Sequence, residues 1–194
     1  MEVFLKEFEM AVILELAEES VHALAKEIIE RFHPDLKEKA DKPGSGIRLC
    51  IFMASNGDKE SHEPAVKLHG YPCYATIGII PYKQRVDKRA DAEITIDESK
   101  WKDMPETQQR ALLDHEITHL EVVRDEDGFL KTDDAGRPKL KMRLHDWQLG
   151  GFRVIAQRYG ADALDVVEAV AFRDTFGDVA MPAKAGQQLE LASA

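Results

Sequence analysis

The chain has 194 residues and a formal charge of -10, from 26 Lys and Arg against 36 Asp and Glu. That length is enough for one domain with a real core, and 44% apolar with 32% charged residues reads as an ordinary soluble globular protein. The acidic balance argues against a general nucleic-acid binder, which needs clustered Lys and Arg to meet phosphate. The basic strip "KLKMRLH" (139–145) reads as a solvated strand face.

The only two cysteines, Cys50 and Cys73, form no CxxC pair and read as reduced, buried residues of an intracellular protein. The opening "MEVFLKEFEMAVILELAEES" carries acids where a secretion signal carries bases, and it has no small-residue cleavage site. No apolar run approaches the ~20 residues that span a bilayer. The expected location is cytoplasmic, with no membrane partner.

In chain order, Phe4, Phe8, Val12, Leu16, Leu24, Ile28 and Phe32 lie near helical spacing, which predicts one long amphipathic helix over 2–32. It should stop before Pro34, which disfavours a helical residue at 33. "IRLCIFMA" (47–54), "CYATIGIIPY" (73–82) and "AEITID" (92–97) predict strands, and the polar "NGDKESHEP" (56–64) predicts a loop. A helix is expected from Pro105, a favoured first-turn residue, to about Val123, with Glu106 at the positive end of its dipole. "FLKTDDAGRPKLKMRL" (129–144) has two extended arms about a polar centre and predicts a β-hairpin. "HDWQLGGFRVIAQRY" (145–159) predicts a helix ended by Gly160 at its C-cap, and "DALDVVEAVAF" (162–172) predicts a last one. The fold class is α+β: a long N-terminal helix, a small mainly antiparallel sheet, a central helix, a β-hairpin and C-terminal helices. A single domain is expected over 1–180, with a disordered tail over 181–194.

The chemistry lies in "LLDHEITHLE" (112–121), an HExxH motif on the predicted central helix. On a wheel of about 100° per residue, Leu112, Leu113, Ile117, Leu120 and Val123 share an apolar sector, with Asp114, Thr118 and Glu121 opposite, on the solvated side. His115 and His119 sit together at one border of the apolar sector, and Glu116 points into it. Two imidazoles one turn apart converge on a tetrahedral ion, and the adjacent glutamate is placed to take a proton from water that the ion has acidified. The bland alternative is a pair of hydrogen-bonded surface histidines.

A catalytic site of this kind needs a third protein ligand. The extension HExxHxxGxxH is absent, because residue 122 is Val and residue 125 is Asp. Candidates are His145, Glu121, Asp125 and Glu126. Glu121 faces the solvated side, and Asp125 and Glu126 lie too close to the helix end to fold back easily. His145 follows the hairpin, which returns the chain to its start, and it is the preferred third ligand. Its neighbour Asp146 is either a hydrogen-bond acceptor for a ligand imidazole or a helix N-terminal charge. His22 and His33 read as surface residues, and His62 and His69 flank the 56–72 loop. Tyr71, Tyr74 and Tyr82 read as core or edge packing rather than as groups that stabilise an oxyanion.

On these residues the chain resembles the putative phage metallopeptidase family, itself similar to the SprT-like zinc peptidases. The likeness rests on "ALLDHEITHLE" (111–121) and "LHDWQLGGFRVIAQRYG" (144–160), with weaker support from "AKEIIERFHPDL" (25–36) and "AEITIDESKWKDMPETQQRALLDHE" (92–116). It covers roughly residues 20–160. The resemblance implies a zincin-like domain with His115, His119 and His145 as metal ligands and Glu116 as catalytic base. The SprT-like relatives have a shorter segment between the second and third His, and those acting on DNA–protein crosslinks carry basic DNA-binding regions. The longer hairpin and negative charge here speak against a DNA-directed role. The expected function is zinc-dependent (Zn2+) hydrolysis of a peptide or protein substrate. The alternative is a catalytically inactive, metal-stabilised binding protein, such as a phage-encoded modulator of a host factor.

Overall fold

The structure is a computed structural model that describes residues 11–37, 46–57, 63–86, 90–133, 136–146 and 151–176. Strand β1 (Val12–Leu16) leads into helix α1 (Glu19–Phe32) and a 3-10 turn (Pro34–Lys37). Strand β2 (Leu49–Asn56) follows, then a ribbon of β3 (Lys67–Leu68) and β4 (Tyr71–Pro72), and then β5 (Ala75–Ile79). After the short α2 (Tyr82–Val86) come β6 (Ala92–Asp97), α3 (Glu98–Asp103) and α4 (Glu106–Thr118). A second ribbon pairs β7 (Leu120–Val122) with β8 (Leu140–Met142), and α5 (Arg153–Tyr159) and α6 (Leu164–Phe176) complete the described chain.

The main sheet has the order β1-β2-β6-β5, antiparallel except for the central β2–β6 pair. Alternation along β6 buries Ala92, Ile94 and Ile96 on the face that α1 and α4 cover. Val21, Ala25 and Ile28 of α1 and Leu112, Leu113 and Ile117 of α4 meet them in one core. The class is α+β, as expected, and β6 has the predicted bounds. The strand expected at 47–54 runs from Leu49 to Asn56, and the one expected at 73–82 shortens to Ala75–Ile79.

Four expectations are corrected. The helix predicted over 2–32 is helical only from Glu19; residues 1–10 lie outside the described residues, and Val12–Leu16 is a strand. Val12 and Ile13 are β-branched and favour extended backbone, and the segment pairs with β2 from Val12↔Asn56 to Leu16↔Phe52. That pairing spans some forty residues, out of reach of any local period. The helix predicted to Val123 ends at Thr118, because residues 120–122 join β8 instead. The arms of 129–144 were expected to pair with each other. Thr132↔Pro138 does so, but Leu140–Met142 pairs back to Leu120–Val122. Of the helix predicted from 145, residues 147–150 lie outside the described residues, 145–146 and 151–152 are not helical, and the helical part, Arg153–Tyr159, does end at Gly160, whose φ of 55° suits glycine. The tail expected over 181–194 lies outside the described residues.

Helix α4 is buried on more than its apolar sector. Asp114, placed by the wheel on the solvated side, is 0% exposed, and Thr118 is buried with its hydroxyl donating to the Asp114 carbonyl. His33, expected at the surface, is partly buried, with its Nε2 2.6 Å from Asp114 Oδ1. Arg158 Nη1 reaches both Asp114 oxygens at 2.8 and 2.7 Å, and the Tyr159 hydroxyl donates to Oδ2 at 3.0 Å. One carboxylate therefore ties α4 to the end of α1 and to α5. A second buried acid, Asp91, accepts from Arg85 at 2.9 Å and from the Arg48 backbone at 2.8 Å, and it pairs with Arg137 at 3.2 Å. It fixes α2 and the far end of the long ribbon to the sheet. Cys50 and Cys73 are free, and they are half-buried rather than buried. Among the described residues no helix is long and apolar enough to cross a membrane.

Burial alone would raise the Asp114 pKa, but the hydrogen bonds from His33 and Arg158 outweigh it and hold the carboxyl below its ordinary value. A depressed carboxylate contributes stability that is complete above its unfolded pKa of about 3.9 and is lost as pH falls through the folded value. Asp114→Ala is expected to cost about 3–5 kcal/mol at neutral pH, since it leaves buried cationic and polar partners unpaired. Asp114→Asn should also flatten the loss of stability below about pH 4 in urea titrations. A variant that matches the wild type in both respects would refute the assignment.

Candidate metal centre

Helix α4 places His115 and Glu116 in its last turn and His119 at its C-cap. Adjacent residues on a helix point about 100° apart, so His115 and Glu116 reach one cavity from different sides, while His119 stands one turn beyond His115. His145 arrives from the second ribbon. The register sets Met142 opposite Leu120, and the next residue, Arg143, donates its N–H to the His119 carbonyl at 2.7 Å. Two residues later the chain presents His145 to the helix.

The three imidazoles converge, each with one ligand-type nitrogen, and these atoms lie within 4.8 Å of one another. His145 Nε2 is 3.2 Å from His115 Nε2. The opposite ring atoms are already used. His115 Nδ1 is 3.0 Å from Asp165 Oδ1, and His119 Nδ1 is 2.8 Å from the Arg143 carbonyl. Both acceptors fix the proton on Nδ1, which turns the lone pair of each Nε2 towards the shared centre. Phe152, fully buried, forms the floor, with its ring centroid 5.0, 4.8 and 4.9 Å from those of His115, His119 and His145.

Two of the three imidazoles are held towards the neutral form that a cation needs. Burial and the neighbouring histidines outweigh the Arg143 carbonyl and push His119 down to about 4, so that it is neutral at pH 7. Burial and the charge of His115 likewise lower His145. Burial would also lower His115, but the hydrogen bond and charge of Asp165, together with the charge of Glu116, reverse this and raise it. Two imidazole nitrogens 3.2 Å apart are satisfied by a shared proton or by a shared cation. An all-nitrogen donor set with preset tautomers fits a borderline transition metal.

Glu116 lines the same cavity, of about 610 Å³, and is only 6% exposed. Its carboxylate has no hydrogen-bond or ion-pair partner among the described residues. Burial raises its pKa to about 7, against the opposing pull of His115. A carboxyl poised there can take up and release a proton at neutral pH.

The structure thus brings together His115, His119, His145 and Glu116, and it separates other candidates from them. Asp146 accepts from Arg143 Nη2 at 2.9 Å and from the Arg153 backbone at 3.1 Å, so it serves the start of α5 and not an imidazole. Glu121 pairs with Lys141, and Asp125 caps a turn through the N–H groups of Asp127 and Phe129. His69 and Tyr74 line the cavity, Tyr71 and Tyr82 are exposed, and His62 lies outside the described residues.

Two contributors escaped the sequence reading. Asp165 accepts from His115 and also from the Phe152 backbone at 3.1 Å, so one carboxylate orients an imidazole and sets the floor beneath it. Phe152 carried no mark of its own within the helix predicted over 145–159. The available signal was an acid in the first turn of a helix following the HExxH helix, which is too common to single out.

No curated protein and no solved structure matches the chain. A family profile does match, over residues 14–172, from strand β1 through the three histidines and Asp165 into α6. With that span and this site, the chain belongs to the putative phage metallopeptidase family.

Proposed function

We propose that the protein is a zinc-dependent peptidase, with His115, His119 and His145 holding the metal and Glu116 acting as general base. The observation that carries this reading is the meeting of three oriented imidazoles with a buried, unpartnered carboxylate in one cavity. The donor set favours zinc over hard cations such as Mg2+, which prefer oxygen ligands. When bound, the ion would supply Lewis acidity, polarising a scissile carbonyl and lowering the pKa of water towards ~7.

The chain's own groups do the rest. Glu116 accepts the proton of the attacking water and returns it to the leaving amine, a task for which its raised pKa suits it. Asp165 and the Arg143 carbonyl keep His115 and His119 in the tautomer that faces the centre. Beside the cavity, Tyr74, Ala75, Thr76 and Ile77 belong to the terminal strand β5 or lead into it. A sheet edge offers backbone groups to an extended chain, which favours a peptide over a compact small molecule as substrate. A metal-stabilised binding protein without turnover would have no use for an unpaired carboxylate at the position of Glu116. The free cysteines support a reducing, cytoplasmic setting.

Glu116→Gln should retain the metal and abolish cleavage of a peptide library; cleavage that survives the change contradicts the mechanism. Asp165→Asn should weaken zinc binding about 10–100-fold in competition with a chromophoric chelator. An unchanged affinity there would remove Asp165 from the account while leaving the three histidines in place.

A further inference from the structure

The cavity wall holds more negative charge than the proposed chemistry uses. Three carboxylates line it, from Glu116, Asp165 and Glu168, and one cationic residue among the described lysines and arginines, Arg143. Asp165 is engaged by His115 and by the Phe152 backbone. Arg143 is engaged by Asp146 and lies over the Phe152 ring, 5.0 Å from its centroid. Glu116 faces the reacting groups. Glu168 remains, with no hydrogen-bond or ion-pair partner among the described residues.

Its position is not that of an ordinary solvated helix acid. Glu168 follows Asp165 by three residues on α6, so both occupy one helix face, and both line the cavity. It is exposed at the rim, where a ligand can reach it. Tyr74, half-buried just before β5 and with no side-chain hydrogen bond among the described residues, lines the same cavity. An aromatic ring and a carboxylate that line one cavity are two protein groups well suited to receive an organic cation.

The electrostatics agree with that geometry. Partial burial and the charge of Asp165 lift the Glu168 pKa, with only partial relief from His115. Burial and, second to it, the charge of Glu168 raise that of Tyr74, so the two walls sense each other. A cation beside Glu168 would offset the cost of its charge there.

We propose that Glu168 and Tyr74 form a subsite for a cationic group of the substrate, an ammonium or guanidinium close to the scissile bond. The inference rests on the peptidase reading and adds a substrate class to it. The cation is either a Lys or Arg side chain or the free α-amine of the peptide.

The test measures binding of labelled peptides to the zinc-loaded full chain carrying Glu116→Gln, so that no substrate is consumed. Peptides carry Lys, Arg, Gln or Glu at one varied position, each with a free and an acetylated N-terminus. Cationic peptides are expected to bind about five- to tenfold more tightly than the Gln peptide, the scale of one charge-assisted contact. Adding Glu168→Gln should bring that ratio close to one, and Glu168→Lys should turn the preference towards the Glu peptide. Zinc content measured on each variant checks that the site is intact. An affinity that falls about five- to tenfold on acetylation, whichever residue is varied, identifies the α-amine; a Lys or Arg preference that survives acetylation identifies the side chain. No preference for either a cationic side chain or a free α-amine, no binding of any peptide, or a preference unchanged by Glu168→Gln would each overturn the subsite. Cleavage by the unmutated chain is assayed in parallel. Cationic preference without cleavage would count against the peptidase reading and support the subsite, while cleavage without preference would do the reverse.

Discussion

The Asp114 carboxylate, sealed from solvent and met by His33, Arg158 and Tyr159, holds α1 and α5 in one arrangement around α4. A buried charge is tolerable only when paired and hydrogen-bonded, so each partner must arrive in register or the whole contact fails. Asp114 immediately precedes His115. Whatever fixes its direction also fixes the neighbouring side of the same helical turn, which carries the histidines. Arg158 extends the contact by lying over the Phe32 ring, 4.3 Å from its centroid, so that aromatic packing and charge pairing act on one group. The polar anchor and the histidine centre are thus two faces of a single helix, and the first gives the second a rigid base.

On the other face the site is assembled from three separate stretches of chain. Helix α4 contributes two imidazoles and Glu116, the ribbon contributes His145 through its register with β7, and α6 contributes Asp165. Phe152 joins them from below, where an aromatic ring fills the space between three imidazoles without competing for their nitrogens. Oriented donors around a shared point are the form in which a protein lowers the reorganisation cost of binding an ion and of the reaction beside it. Charge follows the same division: hydrogen bonds engage Asp114, Asp146 and Asp165, whereas Glu116 and Glu168 keep their carboxylates open to the cavity.

What the sequence revealed was what neighbours in the chain determine. The HExxH spacing is contiguous, and the alternation of "AEITID" is strong enough to give β6 its bounds. His145 was reached because a paired ribbon returns the chain to where it left, although the strands that do so are not those expected. The failures share one cause, contacts between distant segments. Val12–Leu16 has helical apolar spacing but is captured by β2. Asp114 and Thr118 looked solvated because a wheel assumes one buried side, while α1, α5 and the sheet cover this helix on several. His33 and Asp165 carry no local mark; their roles exist only once helices far apart in sequence are packed together.

The central claim is that three histidines form one metal site, and metal content tests it most directly. Inductively coupled plasma mass spectrometry would be run on wild type and His145→Ala, purified without added metal and again after zinc is supplied. The account predicts about one zinc per wild-type chain and a marked loss in the variant, as expected when one of three ligands is removed. Zinc retained in full by His145→Ala, or absent from the wild type even after zinc is supplied, would contradict it.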